Sequence, residues 1–399
     1  MKVPAAAIAL CGFVIATAAC RPTEQQEEPP AAEAAFEVWA ADQNANVIYV
    51  LDPEGNVVRT IDGAELGGAE RPHMLWGVPG DGHVYSTNTV SNSVTVLNRA
   101  DGAVVGVIED VGKAPHAAQP NPRFPDRIYV SNIAPQAVGD DGNVDRGETI
   151  TELVRSESEN GPSWEVARVL DLKADPALAD TTLFPSRRPV CAGFSQDGGT
   201  MLVTLFNGGL AAIDGETGTV SRAWGNDEIG QYGCGFASSA DGSQIYVTTG
   251  NLESSRLHVF DVSGAEPSLL ITHELSERAQ DAHGVYVDPV RGELWVVHRV
   301  SSNVTIHPLA TIAQADHEYS EIPFVGKTPD LVAFSPDASR AFITLRGPNP
   351  APTIPHATVG ETPGVAIIDV ETRELLKVVE LGDPVGSDFH GIFVPAADG

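Results

Sequence analysis

Ile128-Tyr129-Val130-Ser131-Asn132 is a run of β-forming residues that closes on a turn-prone asparagine. It recurs as Val84-Tyr85-Ser86-Thr87-Asn88 and as Ile245-Tyr246-Val247-Thr248-Thr249. Tight turns precede such strands: Gly80-Asp81-Gly82, Gln196-Asp197-Gly198, Ala240-Asp241-Gly242 and Pro336-Asp337-Ala338. These residues suit hairpins, because Asp bonds its own backbone and Gly accepts left-handed dihedrals. A short apolar segment lies before each turn, and a third and a fourth strand follow the second. Asp214-Gly215-Glu216-Thr217-Gly218-Thr219-Val220 and Asp369-Val370-Glu371-Thr372 mark the hairpin between those last two. Four strands per repeat is the signature of a propeller blade.

Aligning the first strands gives one equivalent position per repeat. These positions are His73, His116, Cys191, Cys234, His283, Asp330 and His390, spaced by 43, 75, 43, 49, 47 and 60 residues. Two blades therefore carry insertions. After His390 one strand remains, at 391–395, whereas three precede His73, at 37–41, 47–52 and 57–62. One terminal strand and three initial strands complete a seventh blade and remove an exposed sheet edge. The expected fold is all-β: a single seven-bladed β-propeller of four-stranded blades spanning 36–399.

Composition agrees with this and narrows the partners. The 399 residues include 24 Lys plus Arg against 54 Asp plus Glu, a net charge of −30. So acidic a chain has no basic footprint for nucleic acid. Hydrophobic residues at 42% supply a core, and 39 Gly with 29 Pro favour many turns over long helices.

Residues 1–20 read as a lipoprotein-type signal. Lys2 precedes an apolar run at 5–16, too short to span a bilayer, and Thr17-Ala18-Ala19-Cys20 resembles a cleavage box whose cysteine takes lipid. Thr17 departs from the aliphatic residue usual there. Residues 21–35, rich in Glu, Gln, Pro and Ala, read as a solvated tether. Export is expected, with lipid on Cys20 as the membrane contact and the protein facing the periplasm or cell exterior. Cys191 and Cys234 then lie in an oxidising compartment, where a disulfide, free thiols and metal thiolates compete.

The second strands, the Asp/Gly turns, and Ala366-Ile367-Ile368-Asp369-Val370-Glu371-Thr372 before Leu375-Leu376-Lys377-Val378-Val379 resemble the YVTN or YncE-like family of exported β-propellers. That resemblance covers essentially all of 36–395 and implies a seven-bladed fold. It implies no single activity, because members differ in role. The related propeller of nitrous oxide reductase holds a copper cluster in a ring of histidines. Only four of the seven ring positions here are His, and no cupredoxin segment accompanies them.

Equivalent positions lie at one height around a propeller channel, so His73, His116, His283 and His390 are expected to approach Cys191, Cys234 and Asp330. Imidazole, thiolate and carboxylate suit copper or zinc. The bland alternative is a polar channel lining bonded to backbone and water. His283 is expected to stand apart, two blades from His390. Asp141, Asn143, Asp145 and Glu152 fall at positions 1, 3, 5 and 12 of a calcium loop, although Arg146 replaces its turn glycine; the alternative is an acidic solvated loop. His298-Arg299 and Arg346 are candidates for an anionic ligand at the channel mouth, or ordinary rim residues. The Pro-rich insertion 347–364, containing His356, is long enough to cover one face. Trp76, Trp164, Trp224 and Trp295 read as packing between blades. Nucleophile elbows, phosphate loops, dinucleotide fingerprints and His-Glu-x-x-His helices are absent, and no catalytic residue is assigned.

Two classes of function follow. One is a monomeric, lipid-anchored binding module that presents its loop faces to an envelope protein, glycan or small ligand and holds a metal at the channel mouth. The other is a metal-dependent oxidoreductase or hydrolase using the same ring.

Overall fold

The computed structural model describes residues 36–78, 80–138, 143–158, 161–264, 266–275, 277–351 and 358–395. The signal and tether, Cys20, Asp141 and His356 lie outside them. Seven four-stranded antiparallel sheets form the blades. Blade 1 comprises Pro72–Trp76, His83–Asn88, Ser93–Asn98 and Val104–Ile108; blade 2 comprises Pro115–Pro120, Arg127–Asn132, Thr149–Ser158 and Gly161–Asp171. Blade 3 comprises Pro189–Phe194, Thr200–Leu205, Leu210–Asp214 and Val220–Trp224; blade 4 comprises Phe236–Ser238, Gln244–Gly250, Ser255–Asp261 and Ser268–Glu274. Blade 5 comprises Ala282–Asp288, Glu293–His298, Asn303–Pro308 and Ser320–Ile322; blade 6 comprises Pro329–Phe334, Arg340–Leu345, Gly364–Asp369 and Glu374–Glu380. Blade 7 closes the ring by pairing Phe389–Phe393 with Val38–Asp42, followed by Val47–Leu51 and Val57–Ile61. The last strand thus starts two residues earlier than the sequence pattern suggests, and His390 falls inside it.

Sandwiching between neighbouring blades explains the composition of the strands. Second strands such as His83–Asn88 and Arg340–Leu345 are buried on both faces beyond their first residue, so they read as unbroken β-branched and aromatic runs. Outer strands such as Val57–Ile61 and Glu374–Glu380 face solvent along much of their length. The core consists of layers between blades. Tyr286 and Trp295 of blade 5 meet Phe334 of blade 6, with ring centroids 4.3 and 5.1 Å away. Tyr85 lies between Trp76 and Trp164, at 5.3 and 5.5 Å, and Trp224 meets Phe260 at 5.0 Å. Trp76, Trp164, Trp224 and Trp295 therefore pack as the sequence suggests.

The two insertions differ in kind. In blade 2 the outer hairpin is lengthened to strands of 10 and 11 residues and followed by a short 3-10 helix, Pro176–Leu178, whose first turn is capped by Asp175. In blade 6 the connection 346–363 carries the extra residues. Among the described residues no helix is long and apolar enough to cross a membrane.

Candidate metal centre at the channel mouth

Every ring residue except Cys234, which precedes its strand, is aimed by an irregularity in the pairing of its innermost strand. In blades 1, 2, 3, 5 and 6 the register slips between the first residue and the fourth, at Pro72/Leu75, Pro115/Ala118, Pro189/Ala192, Ala282/Val285 and Pro329/Val332. Such bulges leave an extra residue unpaired and re-aim the side chain there. Threonines of the second strand repair the lost ladder bonds: Thr87, Thr204 and Thr344 accept from the backbone N–H of Met74, Cys191 and Leu331. Their hydroxyls then donate across the blade boundary, Thr87 to the His116 carbonyl, Thr204 to that of Gly233 and Thr344 to that of His390. Thr248 reaches the His283 carbonyl in the same way. One residue type in four blades thereby sets the height of the ring. Its period is visible in the sequence, but only the bulge explains it.

Close approach of the blades needs glycine directly after three ring residues, and a Cβ on the first of them, Gly235, would lie 2.5 Å from the His283 carbonyl oxygen. A Cβ on Gly391 would lie 2.4 Å from the His73 carbonyl oxygen, and one on Gly284 would lie 2.6 Å from that of Asp330. The channel is consequently narrow enough for imidazoles to touch across it. Ring centroids are 3.9 Å apart for His73 and His390, 4.4 Å for His73 and His116, and 5.4 Å for His283 and His390. His283 therefore does not stand apart, because Asp330 bridges the gap: its two oxygens lie 2.7 Å from His283 Nδ1 and 2.7 Å from His390 Nδ1.

His73, His116 and His390 each offer a ring nitrogen within 4.8 Å of the others. All three have Nδ1 committed to an oxygen acceptor. His73 Nδ1 donates to Gln43 Oε1 at 2.9 Å, His116 Nδ1 to the Val190 carbonyl at 3.1 Å, and His390 Nδ1 to Asp330 Oδ2 at 2.7 Å. The Gln43 amide is oriented by Asp388, which accepts from its Nε2 at 2.8 Å and so turns Oε1 toward His73. Nε2 of His73 and of His390 is buried without a hydrogen-bond partner. An orphaned buried nitrogen is costly unless something else occupies its lone pair.

Charge balance supports the same arrangement. Arg346 spans Asp388, with two bonds of 2.7 Å, and Asp330 at 2.9 Å. Arg299 grips Asp281 through bonds of 2.8 and 3.0 Å. These two arginines, candidates for an anionic ligand or for ordinary rim residues, are thus committed to internal carboxylates. Burial, then the neighbouring imidazoles of His390 and His116, hold His73 far below the usual histidine range. Burial, with the charges of His390 and His283, brings His116 down to about 3. Burial and the Arg299 charge bring His283 down to about 4. Burial would raise the Asp330 carboxyl, but His390, His283 and Arg346 together hold it well below the usual carboxylate range. At neutral pH His73, His116 and His283 are therefore neutral with Asp330 ionised, the protonation states a metal site requires.

One part of the expected ligand set is corrected. Cys191 and Cys234 are joined in a disulfide, with Cα atoms 5.0 Å apart, so neither supplies a thiolate, although Cys191 Sγ lies 3.9 Å from His116 Nδ1. Of the calcium-loop positions, Asp141 lies outside the described residues. Glu152 is a buried strand residue whose oxygens take Arg127 at 3.0 Å and Arg168 at 2.7 Å, while Asp145 Oδ1 accepts from the N–H groups of Ala137 and Gly147. Gln43 and Asp388, which orient His73, were not legible from the sequence, since both lie outside the first-strand repeat.

No family model matches the chain, and no curated protein matches it in sequence. Among solved structures it is similar to a protein described as a putative 6-phosphogluconolactonase from Bacteroides fragilis, at 14% identity and TM-score 0.63, covering 92% of this chain and 99% of that one. A functionally unknown protein from Desulfotomaculum acetoxidans is similar at 11% identity and TM-score 0.62, with coverage of 92% and 100%. The dihydro-heme d1 dehydrogenase NirN is similar at 13% identity and TM-score 0.54, covering 90% of this chain and 74% of that one. At these identities the likeness establishes the seven-bladed propeller fold and nothing of the chemistry at its channel.

Proposed function

We propose that the channel mouth holds a transition metal, copper or zinc, on His73, His116 and His390, in a YncE-like propeller exported as a lipoprotein and anchored through Cys20. In this role the protein is a binding module of the cell envelope. One observation carries the metal: three imidazoles have their Nδ1 atoms fixed by oxygen acceptors, and two of them keep a buried, unpartnered Nε2. Metal-ligating histidines characteristically give their second nitrogen to a carboxylate or carbonyl in this way. Asp330 would act behind the ligands, holding His390 and His283 on its two oxygens.

The alternative is a metal-dependent oxidoreductase or hydrolase, and the cavity of about 300 Å³ beside the histidines favours it. Three protein ligands leave a coordination position open, as catalytic zinc sites do. The deciding measurement is metal content of protein purified from its native compartment. One equivalent of copper or zinc, lost in His73→Ala and His390→Ala, is expected. Metal-free wild-type protein would sink the proposal, and turnover of a substrate only when metal is present would favour the enzyme.

A further inference from the structure

The cavity above the histidines differs from the rest of this acidic molecule. Four arginines and four histidines line it, with no Asp or Glu among its described lining residues. Arg299 and Arg346 are held by carboxylates beneath, but Arg71 and Arg188 form no ion pair with an acidic side chain among the described residues. Elsewhere Arg127, Arg168, Arg291 and Arg373 meet carboxylates, whereas Arg187 and Arg222 bond backbone carbonyls. Arg188 spends its Nε on the Ile133 carbonyl, 2.6 Å away, and lays its guanidinium 4.1 Å over the Phe206 ring, which leaves the outer edge of the fork available. Burial lowers its pKa, and the charge of Glu148 offsets that only in part. A half-buried cation whose burial is only partly offset is stabilised by an incoming anion. Arg71 is held at the same mouth by a left-handed backbone, φ 61°, with its N–H bonded to Asn46 Oδ1 at 2.7 Å.

Apart from Thr89 the remaining wall is apolar, built from Ala114, Ile133, Ala134, Pro135, Phe206 and Ala351. A bare inorganic anion would leave that wall unfilled, whereas an acid with a hydrophobic body would cover it. We infer that the cavity binds a small organic carboxylate, its anionic end on Arg71 and Arg188 and its apolar body against Ile133, Pro135 and Phe206. The site deepens the metal proposal and rests on it for the open coordination position that a carboxylate oxygen would share. His73 and His390, whose Nε2 atoms are buried and unpartnered among the described residues, are among the residues lining the same cavity.

Titration calorimetry with benzoate on the metal-loaded protein tests this, with benzyl alcohol as the uncharged counterpart and inorganic phosphate as the anion lacking an apolar body. Benzoate is expected to bind at least about tenfold more tightly than either, and to weaken about tenfold in Arg71→Gln and in Arg188→Gln with metal content unchanged. Should Arg188→Gln fail to fold, Arg188→Lys keeps the charge, loses the fork and is expected to weaken benzoate as well. Stoichiometric metal without benzoate binding, or equal binding in both arginine variants, overturns the carboxylate site and leaves the metal proposal standing. Protein that takes no metal but binds benzoate through Arg71 and Arg188 supports the site and removes the metal from it.

Discussion

His390 and Asp330 belong to adjacent blades 60 residues apart in sequence, and His390 Nδ1 lies 2.7 Å from Asp330 Oδ2. The same oxygen takes Arg346 at 2.9 Å, and the other faces His283. One carboxylate thereby orients two imidazoles and neutralises part of a buried guanidinium. Removing its charge is expected to act on the site more than on the fold, because Arg346 retains both bonds to Asp388. Asp330→Asn should lower zinc or copper affinity about 10- to 100-fold, read by competition with a chelator. An unchanged affinity would separate Asp330 from the metal.

Acid should destabilise the protein through its neutral histidines. His116 and His283 have folded-state values of about 3 and 4, below the ordinary histidine value of 6.5, so the unfolded chain binds protons first as pH falls. Stability is full above about pH 6.5 and declines from there toward about pH 4. Asp330, also held low, adds a loss at still lower pH, once the unfolded carboxyl protonates. Urea midpoints at pH 7.5, 6 and 5 should fall in that order, and a flat profile across this range would contradict buried neutral imidazoles.

Thr344 ties the bulge of blade 6 to blade 7, accepting from Leu331 N–H at 3.1 Å and donating to the His390 carbonyl at 2.8 Å. Thr344→Val removes both bonds while filling the same space. A loss of about 2 kcal/mol is expected from the two backbone groups left unsatisfied. Thr60→Val, on an exposed outer strand, serves as the control and should change stability little.

The disulfide closes a loop between cysteines 43 positions apart in sequence. The double variant Cys191→Ala with Cys234→Ala should lose about 2–4 kcal/mol. Metal uptake should persist in it, because the ligands are imidazoles. Loss of metal from a folded double variant would return the thiols to the ligand set.

Arg346→Met leaves Asp388 and Asp330 buried against each other's unbalanced charge. Breaking one partner out of such a cluster typically costs about 3–5 kcal/mol. Denaturation should therefore reveal a larger loss than in Thr344→Val, and near-wild-type stability would show the network to be dispensable.

The propeller itself was legible because blade periodicity is local. A second strand buried on both faces must be β-branched and aromatic, and its preceding turn must carry Asp and Gly, so Ile128–Asn132 and its copies announce the repeat. The ring positions were legible for the same reason, since an equivalent residue in every repeat must occupy an equivalent place. Strand ends were less so: Phe389–Phe393 begins two residues before the expected 391 because pairing with Val38–Asp42 sets its register, and that partner is over 340 residues away.

Sequence alone therefore determined the all-β architecture, the count of seven and the equivalent position in each repeat. Tertiary structure decided what convergence does to them. It joined Cys191 to Cys234, brought His283 to His390 through Asp330, spent Glu152 on two arginines, and recruited Gln43 and Asp388 from outside the repeat. It also left Arg71 and Arg188 with no ion-paired carboxylate among the described residues, while Arg299 and Arg346 found theirs. The reason is physical: strand patterns follow from the chain's own neighbours, whereas hydrogen-bond partners in the channel come from six other blades, and no periodicity records which of them meet.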